Sequence, residues 1–191
     1  PHFIFNVLET LRYEIAIDAA KASDMVMAFA NLMRYSIYYG STIVPLQTDI
    51  EYINDYLLLQ KMRYNRRLNY HIDIPEELMG CKIPKLLLQP VVENSLVHGM
   101  KDIRSIAINI SAWKEKGQLK LCVEDNGSGI REEKLEELRK GLEREDVYRE
   151  HIGLYNSHRV VRLLYGPESG MTIESSPGNG TKVTVTLPAD M

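Results

Sequence analysis

Leu87-Leu88-Gln89-Pro90-Val91-Val92-Glu93-Asn94-Ser95-Leu96-Val97-His98-Gly99 is an apolar stretch with a polar trio, Glu93, Asn94 and His98, near its end. The pattern predicts a helix through Leu86–His98. Pro90 should make it start late or kink, because proline lacks an N–H and its ring clashes with the preceding turn. Asn94 and His98 are four apart and share a helical face, whereas Glu93 lies about 100° around the axis. An unpaired buried polar group costs about 1–3 kcal/mol. The trio is therefore either a satisfied network in a core or part of the wall of a cavity.

Downstream, the hydrophobic period changes to two. Ile106, Ile108, Ile110 and Ala112 alternate with small or polar residues, as do Leu119, Leu121 and Val123, and then Val183, Val185 and Leu187. Leu68, Tyr70, Ile72 and Ile74 form an earlier strand ended by Pro75, and Met171 to Ser175 a shorter one. A second helix is expected through Gly153–Leu164. Three glycine-bearing segments punctuate this part of the chain. Asp125-Asn126-Gly127-Ser128-Gly129 follows a strand directly; it is either a plain turn or a place where backbone approaches a ligand, with Asp125 able to accept from an exocyclic amine. Gly153-Leu154 opens a helix whose free N–H groups suit a phosphate, although many helices begin this way and bind nothing. Gly178-Asn179-Gly180-Thr181 links the last two strands and has the composition of a hairpin loop. Residues 131–150 are mostly charged, with Leu135, Leu138 and Leu142 as a thin apolar stripe. They are a solvated surface helix or a weakly anchored cover.

Upstream, the period is that of a helix. Ile4, Leu8, Leu11 and Ile15 form one stripe, and Val26, Ala30, Met33 and Ile37 another, with Ser23-Asp24 as the expected cap between them. Gly40-Ser41-Thr42 breaks the second helix. Pro45 suits the first turn of a third, which carries Leu46, Ile50, Ile53 and Leu57. Apolar positions on more than one side predict packing against partner helices, and Tyr35, Tyr38, Tyr39, Tyr52 and Tyr56 are expected to pack between helices.

The whole chain has 191 residues, 45% of them apolar and 26% charged, with a net charge of −3. No run approaches the about 20 apolar residues of a membrane span. The slightly acidic balance gives no electrostatic reason to expect nucleic acid. Cys81 and Cys122 lack metal spacing and read as buried small hydrophobes in a reducing compartment. There is no G-x-x-x-x-G-K-[ST], neither glycine pair continues as G-x-G-x-x-G, and His158-Arg159-Val160 lacks the aspartate of a protein-kinase catalytic loop.

Taken in order, Glu93-Asn94, Asp125-x-Gly127-x-Gly129, Gly153 and Gly178-x-Gly180-Thr181 resemble the N, G1, G2 and G3 boxes of the GHKL ATP-binding fold of histidine kinases, gyrase, Hsp90 and MutL. Pro1-His2-Phe3-Ile4-Phe5-Asn6 resembles the phosphoacceptor box of LytS/YesM-type sensor histidine kinases. Val44-Pro45-Leu46 leading into Tyr56-Leu57, Gln60 and Arg63-Tyr64 is similar to that family's next segment, and residues 87–99 match its N box nearly residue for residue. The resemblance covers essentially the whole chain.

It implies an α+β fold. Residues 1–66 would be dimerisation-type helices, and residues 67–191 a Bergerat-type (GHKL) sandwich with one mixed sheet and helices on one face. It further implies an ATP-dependent protein-histidine kinase using Mg²⁺. His2 would take the γ-phosphate. Phe3 occupies the position where many histidine kinases have an acid, so the group that orients His2 is left open; Asn6, one turn on, is a candidate to bond the ring or place a water. Glu93 matches an acid that activates a nucleophile or holds a metal-bound water, and Asn94 the magnesium-binding asparagine. Asp125 would read adenine at N6, with Gly127 and Gly129 shaping the pocket floor and His98 on the phosphate side. Gly153 and Leu154 match the second glycine box, where His151 replaces the usual first glycine, and residues 131–150 would form the lid. Gly180 and Thr181 would finish the adenine wall. The implied partners are a response-regulator receiver domain and a second copy of the chain, with no direct nucleic-acid partner. Because the candidate nucleophile is the second residue, the chain is expected to be the cytoplasmic part of a longer protein. That parent would carry its sensor upstream in the bacterial cell membrane. A GHKL ATPase or serine kinase that does not use His2, and a silent ATP-binding dimer module, are the competing readings.

Overall fold

The computed structural model describes residues 2–38, 40–101, 103–143 and 152–189, with only the backbone of His2, Tyr38 and Ile152. It opens with two helices, α1 (His2–Ile17) and α2 (Ala19–Tyr38), separated by Asp18 alone. They fold back on each other. Phe3 stacks on Tyr56 with ring centroids 5.3 Å apart, while Asn31 donates to Asp55 one residue away. A continuous helix would hold Phe3 and Asn31 about 42 Å apart, so α1 and α2 must run antiparallel. The cap between them is not Ser23-Asp24, which lie inside α2. Asp18 does that work: its Oδ1 accepts the N–H of Lys21 at 3.0 Å, satisfying a donor the first helical turn leaves free.

The faces of this hairpin also differ from the expected stripes. The inner side buries Val7, Ala22, Met25, Ala28, Leu32 and Tyr35. Leu8, Ile15, Val26 and Ile37, members of the expected stripes, are exposed instead, as are Phe5 and Met27. Both faces are apolar, and one chain can bury only one of them.

Strand β1 (Ile43–Pro45), which periodicity did not reveal, leads into α3 (Leu46–Tyr64). Pro45 stands at the N-cap of α3 rather than inside its first turn. The expected stripe of α3 holds, with Leu46, Ile50, Ile53 and Leu57 all buried. Tyr52 and Tyr56 are buried too, and Tyr35 and Tyr52 meet ring to ring at 5.0 Å. Tyr39 lies outside the described residues.

A 3₁₀ turn at Asn65–Arg67 ends the helical part where the period changes. Beyond it come β2 (Leu68–Asp73), β3 (Lys82–Pro84), α4 (Gln89–Asn94), β4 (Ile106–Glu115), β5 (Gln118–Asp125), α5 (Glu132–Glu143), α6 (Ile152–Tyr165), β6 (Gly170–Ser175) and β7 (Thr181–Pro188). The sheet order is β2-β4-β5-β7-β6. β2 runs parallel to β4 and the other pairs are antiparallel. Ile106, Ile108, Ile110, Leu119, Leu121, Val185 and Leu187 turn inward, and helices cover that face alone. At the sheet's edge the guanidinium of Arg139 donates twice to the carbonyl of Ile173, at 3.1 and 2.9 Å, so α5 is pinned to β6.

The helical part and the sheet are knit together. β1 pairs antiparallel with β3, placing Val44 opposite Ile83. Cys81, beside this pair, is half-buried rather than buried; its Sγ lies 3.9 Å from the carbonyl of Ala189, while Cys122 is fully buried. Among the described residues no helix is long and apolar enough to cross a membrane.

Candidate nucleotide cleft

The helix predicted through Leu86–His98 starts at Gln89, as Pro90 demands, with the proline in its first turn. After Asn94 the backbone widens into a π-type turn, Ser95–Gly99. Such turns add a residue per turn and are frequent at functional sites. Asn94 and His98 therefore do not sit on an undisturbed α-helical face, yet both reach the same cleft.

That cleft lies between α4, the end of β5 and the start of α6. Its apolar wall includes Val91, Ile130, Leu138, Leu154 and Ile173. Asn94, Ser95, His98, Asp125 and Thr181 supply the polar groups. A largely apolar recess with a few converging polar atoms is what binds a flat, hydrogen-bonding ring.

Asp125 is the organising residue. It ends β5 opposite Thr181 of β7 and is 4% exposed. Its Oδ2 accepts the hydroxyl of Ser95 at 2.7 Å. Its Oδ1 accepts the N–H of Gly127 at 2.9 Å and that of Thr181 at 3.3 Å. Burial pushes the Asp125 carboxyl above the usual carboxylate range, and these donors pull it back. Both oxygens are thus fixed in direction; Oδ1 already accepts two N–H groups, and Oδ2, with one donor, keeps acceptor capacity for a ligand amine.

The loops around it are closed onto one another. Ser128 donates its N–H to the Gly99 carbonyl at 3.0 Å, and Gly178 donates to the Ser128 carbonyl at 2.8 Å. Ser175 accepts the N–H of Ile130 and donates to the carbonyl of Gly180, tying the G1 and G3 segments together. Glycine is sterically required in these loops. A Cβ on Gly127 would come within 2.6 Å of the Gly99 backbone. Gly180 has φ +77° and faces the Asp125 carbonyl with no room for a side chain.

Asn94, His98, Asp125, Gly129, Leu154 and Thr181 thus line one cleft. Gly127 and Gly180 lie behind Asp125 and shape its loops. Gly153 packs α6 against α4, its Cβ position 3.0 Å from Pro90 Cβ. Glu93 does not line the cleft. It turns toward α3, where burial first, and then the Glu93 charge, raise the hydroxyl pKa of Tyr52 and Tyr56, and its Oε1 accepts from Gln89 Nε2 at 2.8 Å. His2 and Asn6 stand on the first turns of α1, and Asn6 accepts the Thr10 hydroxyl on its carbonyl. Of the expected lid, residues 132–143 form α5, with Leu135, Leu138 and Leu142 buried; residues 144–150 and His151 lie outside the described residues. Sequence reasoning missed Ser95 and Ser175. Ser95 had a signal: a hydroxyl beside Asn94, on a helix already suspected of facing a cavity.

Comparison with known proteins gives the family and the fold. Residues 1–68 match the histidine kinase family, and residues 82–191 the family of histidine kinase-, DNA gyrase B- and HSP90-like ATPases. The sensor protein kinase HptS of Staphylococcus aureus is 31% identical over 188 residues. That similarity covers 98% of this chain but 36% of HptS, so the chain spans about a third of that relative's length. Among solved structures, the histidine kinase domain of the Erythrobacter litoralis EL346 blue-light activated histidine kinase has a TM-score of 0.54 at 16% identity, covering 98% of this chain and 95% of that one. The catalytic domain of histidine kinase ThkA has a TM-score of 0.57 at 14% identity, covering 78% and 96%. These likenesses show a shared fold.

Proposed function

Because the chain belongs to the LytS/YesM-type sensor histidine kinases, we propose that its cleft binds Mg-ATP and that the γ-phosphoryl group passes to His2, then to a response-regulator aspartate. The observation that carries this reading is the convergence of Asn94, Asp125 and Thr181 on one apolar-walled cleft.

Each residue has a task that its position allows. Asp125 accepts the exocyclic N–H of adenine, and Thr181 and Gly129 border the ring. Leu154 and Ile173 give the ring an apolar surface. His98, at the exposed rim, stands on the phosphate side. Asn94 offers one neutral side-chain oxygen to the cleft. Among the described residues no group of three or more His, Cys, Asp or Glu could hold a metal ion. That donor set fits Mg²⁺, which keeps several waters and takes its remaining ligands from phosphate oxygens. Mg²⁺, when bound, neutralises charge on the transferring phosphoryl group.

His2 is the nucleophile, since an imidazole, whose ordinary pKa is about 6.5, offers a free lone pair in its neutral form. Its nitrogen bonds to the γ-phosphorus as the bond to the ADP oxygen breaks, and the ring proton leaves to a base. Asn6 is the chain's candidate to hold that ring, and Glu93 the acid that activates the nucleophile or holds a metal-bound water. Residues 1–66 serve as the phosphoacceptor and dimerisation region and residues 67–191 as the ATP-binding domain. The exposed apolar face of Phe5, Leu8, Ile15, Val26, Met27 and Ile37 supports pairing with a second copy. A parent anchored in the bacterial membrane, with this part on its cytoplasmic side, fits that reading.

The test is the origin and chemistry of the label. Incubation with Mg²⁺ and ATP labelled at the γ-position should give acid-labile, alkali-stable phosphoprotein, and α-labelled ATP should give none. An acid-stable label would support a serine kinase instead, and binding without any label a silent module.

A further inference from the structure

The strongest feature outside the cleft is a buried carboxylate that three elements share. Asp49 lies in the first turn of α3 and is fully buried. Its Oδ1 accepts the hydroxyl of Tyr35, on α2, at 2.9 Å and the N–H of Leu86 at 2.7 Å. Its Oδ2 faces the N–H of Leu88 at 3.5 Å, and Leu87 adds another backbone donor.

Those amides are the entrance to α4. Leu88 is the N-cap of that helix and has no side chain that can cap it, and Pro90 in the first turn has no N–H. Leu86 adopts φ +60°, a strained conformation for a non-glycine residue that persists only where the surroundings hold it. Asp49 does the holding, as a cap supplied from a different helix. A second tie runs alongside it: the Lys85 ammonium lies 5.0 Å over the Tyr35 ring, and its Nζ donates to the carbonyl of Ser36 at 3.4 Å. Immediately downstream, α4 delivers Asn94 and Ser95 to the cleft, and Ser95 fixes Asp125.

We propose that Asp49 is a positioning residue for the nucleotide cleft, coupling the α1–α2 hairpin, through Tyr35, to the helix that presents Asn94 and Ser95. The inference rests on the nucleotide reading of that cleft. A shift of α2 that withdraws the Tyr35 hydroxyl loosens the cap on α4 and weakens ATP binding. By linkage, bound ATP tightens the Tyr35–Asp49 contact by the same factor.

The test uses the chain with Asp49→Asn, Tyr35→Phe and the double substitution, and reads two quantities. The first is the dissociation constant of ATP. Asp49→Asn should raise it about tenfold, as expected for a lost hydrogen bond to a charged group, and Tyr35→Phe about threefold. In the double variant Tyr35→Phe should add nothing, because its partner is already gone. The second is amide hydrogen exchange at residues 91–95 without nucleotide, which should accelerate in both single variants. Affinities within twofold of the unsubstituted chain, or effects that multiply in the double variant, overturn the proposal. If Asp49→Asn fails to fold, Tyr35→Phe, which removes one hydroxyl, still decides it. An unsubstituted chain that binds no ATP refutes the nucleotide reading itself, and unchanged exchange at residues 91–95 would then refute the capping role separately.

Discussion

The hydroxyl of Ser95 donates to Oδ2 of Asp125 at 2.7 Å, while the Gly127 and Thr181 amides hold Oδ1 of the same carboxylate. The carboxylate that would read adenine is therefore aimed by a residue of the helix that also carries Asn94. Ser95→Ala should weaken ATP binding about tenfold and leave the fold intact, since a hydrogen bond to a charged group contributes roughly 1.5–3 kcal/mol. Asp125→Asn should do more, because its amide nitrogen would confront N–H donors. Isothermal titration with ATP checks both.

Gly180 sits at φ +77° against the Asp125 carbonyl. Gly180→Ala is expected to cost at least about 2 kcal/mol, since strain and collision act together. Gly40, with open space around its Cβ position, is the control. Urea unfolding should show Gly40→Ala within about 0.5 kcal/mol of the unsubstituted chain.

His158 gives the fold a pH dependence. Its buried Nδ1 accepts the Met171 N–H at 2.9 Å, and its Nε2 has no partner among the described residues. Burial first, and then the nearby Arg162 charge, hold its pKa below 6.5. In the unfolded chain it titrates near 6.5, so below that pH the unfolded state binds the extra proton first. Its contribution is complete above about pH 6.5 and is lost as the pH falls toward the lower folded value. His158→Gln, whose amide oxygen can still accept from Met171, should flatten the stability profile below about pH 6.5. A slope unchanged by the substitution would assign it to other groups.

Asn94 is the metal-facing residue of the account. Asn94→Ala, or chelation of Mg²⁺, should abolish phosphoryl transfer while ATP binding falls far less. Adenine contacts through Asp125 do not need the ion. Equal losses of binding and transfer would move the metal assignment elsewhere.

Much of this was legible in the chain because a period is a local property. The alternation of Ile106, Ile108 and Ile110 gave a sheet face, and the stripe on α3 gave its buried side. Pro90 announced the late start of α4. What escaped was set by distant partners. β1 is three residues long, and pairing with β3 alone makes it a strand. The outer stripes on α1 and α2 satisfied the same periodicity as the buried ones, since nothing local tells the core from an exposed face. Asp18 is the cap because the chain turns back there, and the periodicity of the flanking stripes does not mark that turn. In the cleft, the glycine segments were visible as motifs, but their closure through Ser175 and Ser95 depends on residues brought together from separate strands and helices.

The central claim is that His2 receives the phosphoryl group of ATP. Tandem mass spectrometry of the chain after incubation with Mg-ATP, under alkaline handling, tests it most directly. The account predicts phosphohistidine at His2 and loss of the label in His2→Ala with ATP affinity unchanged. Phosphate on any other residue, or undiminished labelling of His2→Ala, would contradict it.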